Sequence, residues 1–195
     1  AYCCREGFDR PGGPAGAMPF SMKDLALGPR LGDLAASGVA GLKIEGRMKS
    51  ALYVGSVTNY YRRMLDGDLR DGNERTRIEE DLRTVFSRPW TVLYADGKPG
   101  VPVIDPVNVG HRGAMIGSVE AVRRDRFGRW LAFRTARAVE KRDGIQIDLP
   151  GQARPFGFGV DRMRETGPAK DPHAASAITV PAGARVEILL PDDAP

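Results

Sequence analysis

Cysteine is almost missing: the 195 residues include two, and they are neighbours, Cys3 and Cys4. Adjacent cysteines cannot easily bridge one another or staple distant segments, which excludes a disulfide scaffold and favours a cytoplasmic protein. Long apolar runs are missing as well. Nothing approaches the ~18 consecutive apolar residues of a membrane-spanning helix, and Cys3, Cys4, Arg5, Glu6 and Asp9 interrupt the opening stretch where a signal peptide would be apolar. No membrane partner is expected. There is also no dense basic tract, no Gly-rich phosphate cradle and no zinc-ligand spacing. Histidine is limited to His111 and His173, which excludes a His-based metal site or triad by pattern.

What remains is an ordinary globular composition, with 42% hydrophobic and 28% charged residues, so the chain has the means to build a core. Its net charge of +4 rests mostly on scattered arginines, which permits an anionic metabolite or RNA as partner without requiring one. Glycine (24) and proline (15) are plentiful and suit short strands better than a helical bundle.

The chain reads as two unlike parts. From Pro19 to about Phe86, short apolar runs beginning at Phe20-Ser21-Met22 alternate with helical periods. A helix is expected around Leu31, Leu34 and Ala35, stopped by Gly38. Gly41 to Glu45 reads as a strand, and Ser50 as the N-cap of a helix carrying Val54, Val57, Tyr61 and Met64. A further helix is expected over Thr76–Phe86, with Thr76 and Glu79 in capping-box spacing and Ile78, Leu82 and Val85 on one face. Strands joined through helices imply parallel crossover units covered on both faces, and two such units cannot cover themselves. The fold class expected is therefore α/β then all-β: residues 1–87 as the last strands and helices of a (β/α)₈ TIM barrel, and residues 88–195 as a small antiparallel β-barrel. Strand candidates in the second part are Ala114–Val122, Trp130–Thr135, Ile145–Leu149, Phe156–Met163 and Arg185–Leu190. Residues 166–177, with Pro168 and Pro172, are expected as an exposed loop.

Alternation along the expected strand sends Leu42 and Ile44 to one face and Lys43 and Glu45 to the other. Glu45 and Arg47 would then lie at the carboxyl end of a barrel strand, where such folds place active sites, with Lys49 in the following loop. Lys23 and Asp24 occupy the same end of the preceding strand. Lys23, Asp24, Lys43, Glu45, Arg47 and Lys49 would converge on one mouth, four positive and two negative, which suits an anionic small molecule or peptide. Glu45 is the candidate acid or base, tuned by Lys43 and Arg47, and Arg47 has the planar fork that grips carboxylate or phosphate. The plainer reading makes Lys43 and Glu45 a buried ion pair filling the lumen.

The run Ser21-Met22-Lys23-Asp24-Leu25, Gly38-Val39, Leu42-Lys43-Ile44-Glu45-Gly46-Arg47-Met48-Lys49-Ser50, Tyr53-Val54 and Tyr61-Arg62 resembles the signature of the collagenase-like peptidases, peptidase family U32. Val109-Gly110-His111-Arg112-Gly113, Ile116-Gly117 and Arg142-Asp143-Gly144 are similar to the family's carboxyl-terminal extension. The resemblance implies the carboxyl-terminal portion of a (β/α)₈ protein with Glu45, Arg47 and Lys43 as catalytic candidates and Lys23, Asp24, Lys49 and Tyr53 as substrate-binding candidates. The family's name speaks of peptide hydrolysis. Several bacterial members act instead in oxygen-independent hydroxylation of tRNA, ribosomal RNA or a quinone precursor, the RNA-directed ones with prephenate or a related donor and an iron-sulfur cluster on four cysteines. Members with the cluster typically carry a Cys-Arg pair and a cysteine directly after Lys-Asp-Leu. Cys4-Arg5 matches the first feature and is the metal-ligand candidate, but the second position is Ala26, so a cluster is not expected in this chain unaided.

Other candidates have plainer explanations. His111 sits in a glycine-flanked segment that reads as a turn before it reads as a phosphate contact. Tyr53, Tyr60 and Tyr61 offer stacking faces for bases, but Tyr61 fits a helix's apolar side. The alternative to an enzyme is an RNA- or protein-binding accessory module, with Arg123, Arg124, Arg126, Arg129, Arg134 and Arg137 as its footprint.

Overall fold

The computed structural model describes residues 2–9, 11–12, 15–98, 102–107, 109–152, 155–167 and 176–195, and the chain divides into two compact units, Ala1–Ala114 and Met115–Pro195. His173, Pro168 and Pro172 lie outside the described residues, as does most of the expected 166–177 loop. The division falls after Ala114, where the sequence placed it after residue 87. Hydrogen bonding explains the difference: Lys23 N donates to Val103 O (2.9 Å), Asp105 N to Ser21 O (2.7 Å) and Arg112 N to Ser87 O (2.8 Å). Residues 88–112 thus fold back onto the first unit instead of opening the second.

In the first unit, strand β1 (Asp24–Leu25) is followed by helices α1 (Leu31–Ala36), α2 (Ala51–Asp66) and α3 (Gly72–Val85) and strand β2 (Trp90–Thr91). β1 and β2 pair in parallel, Asp24 with Trp90 and Leu25 with Thr91. Just past α1, Gly38 takes a φ of 82°, a left-handed conformation that glycine tolerates without strain and that stops the helix. Ser50 caps α2 as expected, its side chain accepting from Tyr53 N at 3.2 Å. α3 starts a turn earlier than its capping-box spacing predicts. Asp71 is the N-cap and accepts from Asn73 N at 2.9 Å, while Thr76 Oγ1 donates to Gly72 O from inside the helix. The core here gathers Val57 and Tyr60 of α2, Leu69 and Leu82, with Tyr53, Tyr61, Met64, Ile78 and Trp90 around them.

The expected strand over Gly41–Glu45 is not formed. The segment has no regular secondary structure, and Leu42 and Ile44 are 47% and 39% exposed. Alternation sets which side chains share a face, but a strand exists only where a neighbour completes its hydrogen bonds, and none of the described residues pairs with it here.

The second unit is built of antiparallel strands. A four-stranded sheet has the order β3 (Ala121–Asp125), β4 (Gly128–Arg134), β10 (Arg185–Leu189) and β8 (Met163–Thr166). Two further ladders pair β5 (Val139–Glu140) with β9 (Thr179–Val180), and β6 (Gly144–Ile147) with β7 (Phe156–Gly159). Period-two alternation sends Leu131 and Phe133 of β4, Val186 and Ile188 of β10 and Met163 of β8 into one core with Val139, Ile145, Val160 and Val180. The strand expected over Ala114–Val122 begins at Ala121, although irregular bonds from Glu120 N to Ala132 O and from Ala136 N to Ile116 O extend the association upstream. The strand expected over Phe156–Met163 is two strands: Val160 N carries the β6–β7 register on to Asp143 O before the chain leaves it for β8. No helix among the described residues is long and apolar enough to cross a membrane.

The other face of the four-stranded sheet buries a charge. Glu187 is 2% exposed, accepts from Arg164 Nε (2.8 Å) and Nη2 (2.7 Å), and faces Arg123 Nη1 at 3.3 Å. Arg164 also reaches Asp125 Oδ2 (3.1 Å), lies 4.0 Å from the Trp130 ring centroid, and Trp130 Nε1 donates to Asp125 Oδ1 (2.8 Å). A buried charge held this way is costly to orphan. Glu187→Ala is expected to lower the stability of the second unit by about 3 kcal/mol, and Glu187→Gln by less, because the amide keeps an acceptor toward Arg164. Urea unfolding followed by Trp130 fluorescence in a Trp90→Phe background measures both, and an unchanged midpoint for Glu187→Ala would refute this account.

Candidate functional site

Three of the candidates, Asp24, Lys49 and Tyr53, gather where β1 and β2 begin, at the amino end of the parallel pair and not at the carboxyl end where the sequence placed them. Asp24, in β1, accepts from the backbone N of Arg88 (2.9 Å) and from its Nε (2.8 Å), with Nη2 at 2.7 Å from the same carboxylate. Both side chains are about three-tenths exposed, at 28% and 30%, so this is a part-buried, bidentate pair. Sixty-four residues of sequence separate the partners, and the bond fixes the entry of β2 beside β1.

Phe86, at the end of α3, organises the next layer. Lys49 Nζ lies 2.9 Å from the Phe86 ring centroid, His111 stacks on that ring at 5.5 Å and 19°, and Tyr53 meets it edge-on at 6.1 Å. Lys49 itself is held by its backbone N donating to Gly46 O at 3.0 Å. Partial burial pulls the Lys49 pKa below the usual lysine range. Asp24 opposes that shift, while Arg88 and Arg5 reinforce it. Lys49 therefore lies within reach of two like charges and one carboxylate, and that carboxylate is already engaged by Arg88. Burial, together with Asp24, raises the Tyr53 phenol. His111 accepts from Ser87 N through Nδ1 at 2.9 Å, so its glycine-flanked segment fastens to the end of α3.

The structure brings Asp24, Lys49 and Tyr53 together and leaves the side chains of Lys43, Glu45 and Arg47 exposed. Lys43 and Glu45 pair at 2.9 Å in the open, 84% and 74% exposed, which corrects the picture of a buried lumenal pair. The Lys43 ammonium, by hydrogen bond and charge, holds the Glu45 carboxyl below the ordinary range, with Arg47 adding a smaller push in the same direction. Glu45 is thus a carboxylate at neutral pH and has no proton to give. Tyr53 Oη donates to Glu45 O at 3.5 Å and ties this loop to α2. Lys23 is half-buried, and Arg47 is exposed. Arg88 and Phe86 escaped sequence reasoning because neither stands in a periodic pattern, and their partners lie far away in the chain.

An iron-sulfur cluster does not fit these residues. Cys3 is exposed and Cys4 half-buried, both in a single 3₁₀ turn, and Ala26 carries no donor. Two thiols fall short of the about four that such a cluster takes. Among the described residues, no group of three or more His, Cys, Asp or Glu side chains is arranged to hold a metal ion.

Because Asp24 raises the Lys49 pKa, Asp24→Asn is expected to lower it further and to make Lys49 the first lysine to react with an acylating reagent as pH rises. Lys43, whose pKa Glu45 raises, serves as the internal contrast. Site-resolved labelling by mass spectrometry reads this directly; slower labelling of Lys49 in the variant contradicts the proposed coupling. The sign for stability follows. A lysine whose folded pKa is lowered binds fewer protons than the unfolded chain between the two pKa values, so its contribution to stability grows with pH through that window.

Comparison with known proteins adds identity to this geometry. No solved structure matches the chain significantly. Among curated proteins, it is 34% identical to "tRNA hydroxylation protein P1" of Bacillus subtilis (strain 168), over 42% of this chain and 21% of that protein. It is 38% identical to "23S rRNA 5-hydroxycytidine C2501 synthase" of Escherichia coli (strain K12), over 37% of this chain and 11% of that one. It is 31% identical to "tRNA hydroxylation protein P" of Helicobacter pylori (strain ATCC 700392 / 26695), over 43% and 20%. The chain thus spans about a fifth or less of the length of these relatives. The family model for Peptidase family U32 matches residues 4–105, just over half of the chain and nearly all of the first unit. That extent is decisive, and the chain belongs to peptidase family U32.

Proposed function

We propose that this chain is the substrate-facing end of an RNA-hydroxylating protein, and that Lys49 and its neighbours position an anionic group there. The observation that carries the reading is the family match over residues 4–105 together with relatives named for tRNA hydroxylation or for making 5-hydroxycytidine in 23S rRNA. The charges around Lys49 support it: Arg5 and Arg88 lie within its electrostatic reach, and Asp24 is engaged by Arg88, which leaves the Lys49 ammonium as the donor to an incoming carboxylate or phosphate. Such an anion is a donor of the prephenate kind or the phosphate of an RNA. Phe86 and Tyr53 supply the apolar wall against which its ring or base would lie.

In this proposal the first unit is the closing part of a (β/α)₈ barrel. The parallel β1–β2 pair supports it, as do Met22, Leu25, Val39, Leu42 and Ile44, all apolar and each more than a third exposed. A face of that kind calls for cover from the remainder of a protein as long as its relatives, and Gly41–Glu45 would gain the strand partner it lacks. A second reading, the accessory module, is favoured by Ala26 at a position where cluster-bearing members carry cysteine.

Nucleoside mass spectrometry of tRNA and rRNA, from cells deleted for the full-length gene and complemented with wild type or Lys49→Ala, tests both. The enzyme reading expects one hydroxylated nucleoside to disappear on deletion, to return with wild type and to stay at least about tenfold lower with Lys49→Ala. Full restoration by Lys49→Ala would favour the accessory module, and unchanged nucleosides on deletion would sink the hydroxylation reading.

A further inference from the structure

The second unit lies beyond the family match, and most of its described arginines fall into two populations. One is consumed by structure. Arg123 and Arg164 hold Glu187, Arg185 pairs with Glu120 at 2.9 Å, Arg134 donates to Gly183 O at 2.5 Å, and Arg129 donates to the carbonyls of Ala194 and Pro195. These cannot also serve as a docking footprint without breaking the sheet's own bonds.

The other population sits at one end of the sheet. Arg124 in β3, Arg126 in the β3–β4 turn and Arg162 before β8 are exposed, and no carboxylate among the described residues pairs with them. Arg124 stands directly across the ladder from Arg129, a like-charged cross-strand pair that costs stability where opposite charges would have added to it. Phe127 stands in the turn, 45% exposed, with the guanidinium carbons of Arg126 and Arg162 at 4.8 and 5.4 Å from its ring centroid. The turn is built in advance: Asp125 Oδ1 accepts from Phe127 N and from Trp130 Nε1, each at 2.8 Å. A large exposed ring on a fixed turn, framed by uncompensated guanidinium groups, has the two parts of a single-strand nucleic-acid contact, a stacking face and phosphate donors. A duplex buries its base faces and has no use for the ring.

We propose that the β3–β4 turn is a docking point for an unpaired segment of RNA, with a base stacked on Phe127 and the flanking phosphates met by Arg124, Arg126 and Arg162. The proposal rests on the RNA reading given above and adds the element that grips the RNA and the form of RNA it takes.

Fluorescence anisotropy of the whole chain tests it, using a labelled single-stranded RNA of about a dozen nucleotides, the same strand in a duplex, and heparin as a polyanion without bases. Phe127→Ala is expected to weaken single-strand binding about tenfold and to leave duplex and heparin binding unchanged, with Phe127→Trp restoring it. Arg126→Gln combined with Arg162→Gln is expected to flatten the slope of log affinity against log salt by roughly 1.4. Arg185→Gln, which alters an arginine already paired, leaves both unchanged. If wild type binds RNA and Phe127→Ala binds it equally well, the docking point is wrong while the RNA reading stands. Equal losses for RNA and heparin make the turn a general polyanion patch and overturn the stacking. Failure of the wild-type chain to bind any RNA overturns the docking point and counts against the RNA reading itself.

Discussion

The first unit depends on Asp24 and Arg88. Two strands of two residues each cannot hold themselves in register, since a ladder that short has few hydrogen bonds to oppose the freedom of the chain between them. The carboxylate of Asp24 supplies the missing constraint by taking both the backbone N–H and the guanidinium of Arg88. Directly before that bond in the chain, Phe86 meets Lys49 and His111 on its ring, and Ser87 N donates to His111 Nδ1. The same bond engages the Asp24 carboxylate, the acidic group whose charge acts on Lys49.

The second unit settles its charges differently. Glu187 is almost wholly buried and surrounded by the donors of two arginines, one of them also lying on the Trp130 ring. Here the ions are matched and internal, and their role is to fix one face of a four-stranded sheet. Among the described residues, Arg124, Arg126 and Arg162, which this network leaves unmatched, stand at the hairpin end. Matched and unmatched arginines occur in one stretch of sequence, so composition alone cannot separate a fold-holding guanidinium from one that faces a partner.

What could be read beforehand was local. Ser50 as a cap, Gly38 as a stop and the strand segments around Trp130–Thr135 and Arg185–Leu190 each depend on neighbours within a few residues, and pattern captures such neighbours. The start of α3 was missed because Asp71 caps it in competition with the spacing of Thr76 and Glu79. Gly41–Glu45 has the alternation of a strand and lacks the partner that makes one, and nothing in its own residues reports that lack. In the site, Asp24, Lys49 and Tyr53 were legible as chemistry-bearing types near a motif. Arg88 and Phe86 were not, since their roles are created by contacts across 64 residues in one case and by a shared aromatic face in the other.

Phe86 touches three separate pieces of chain: the loop bearing Lys49, the first turn of α2 through Tyr53, and the segment bearing His111. Immobilising each piece by itself would cost backbone entropy of about 1 kcal/mol or more per residue. Gathered on one ring, they share a common degree of freedom, and ordering any one of them restricts the other two. A ligand that settled on Lys49 would therefore also quiet Tyr53 and His111, so that the site tightens as a unit and its occupancy is felt in a segment the ligand never touches.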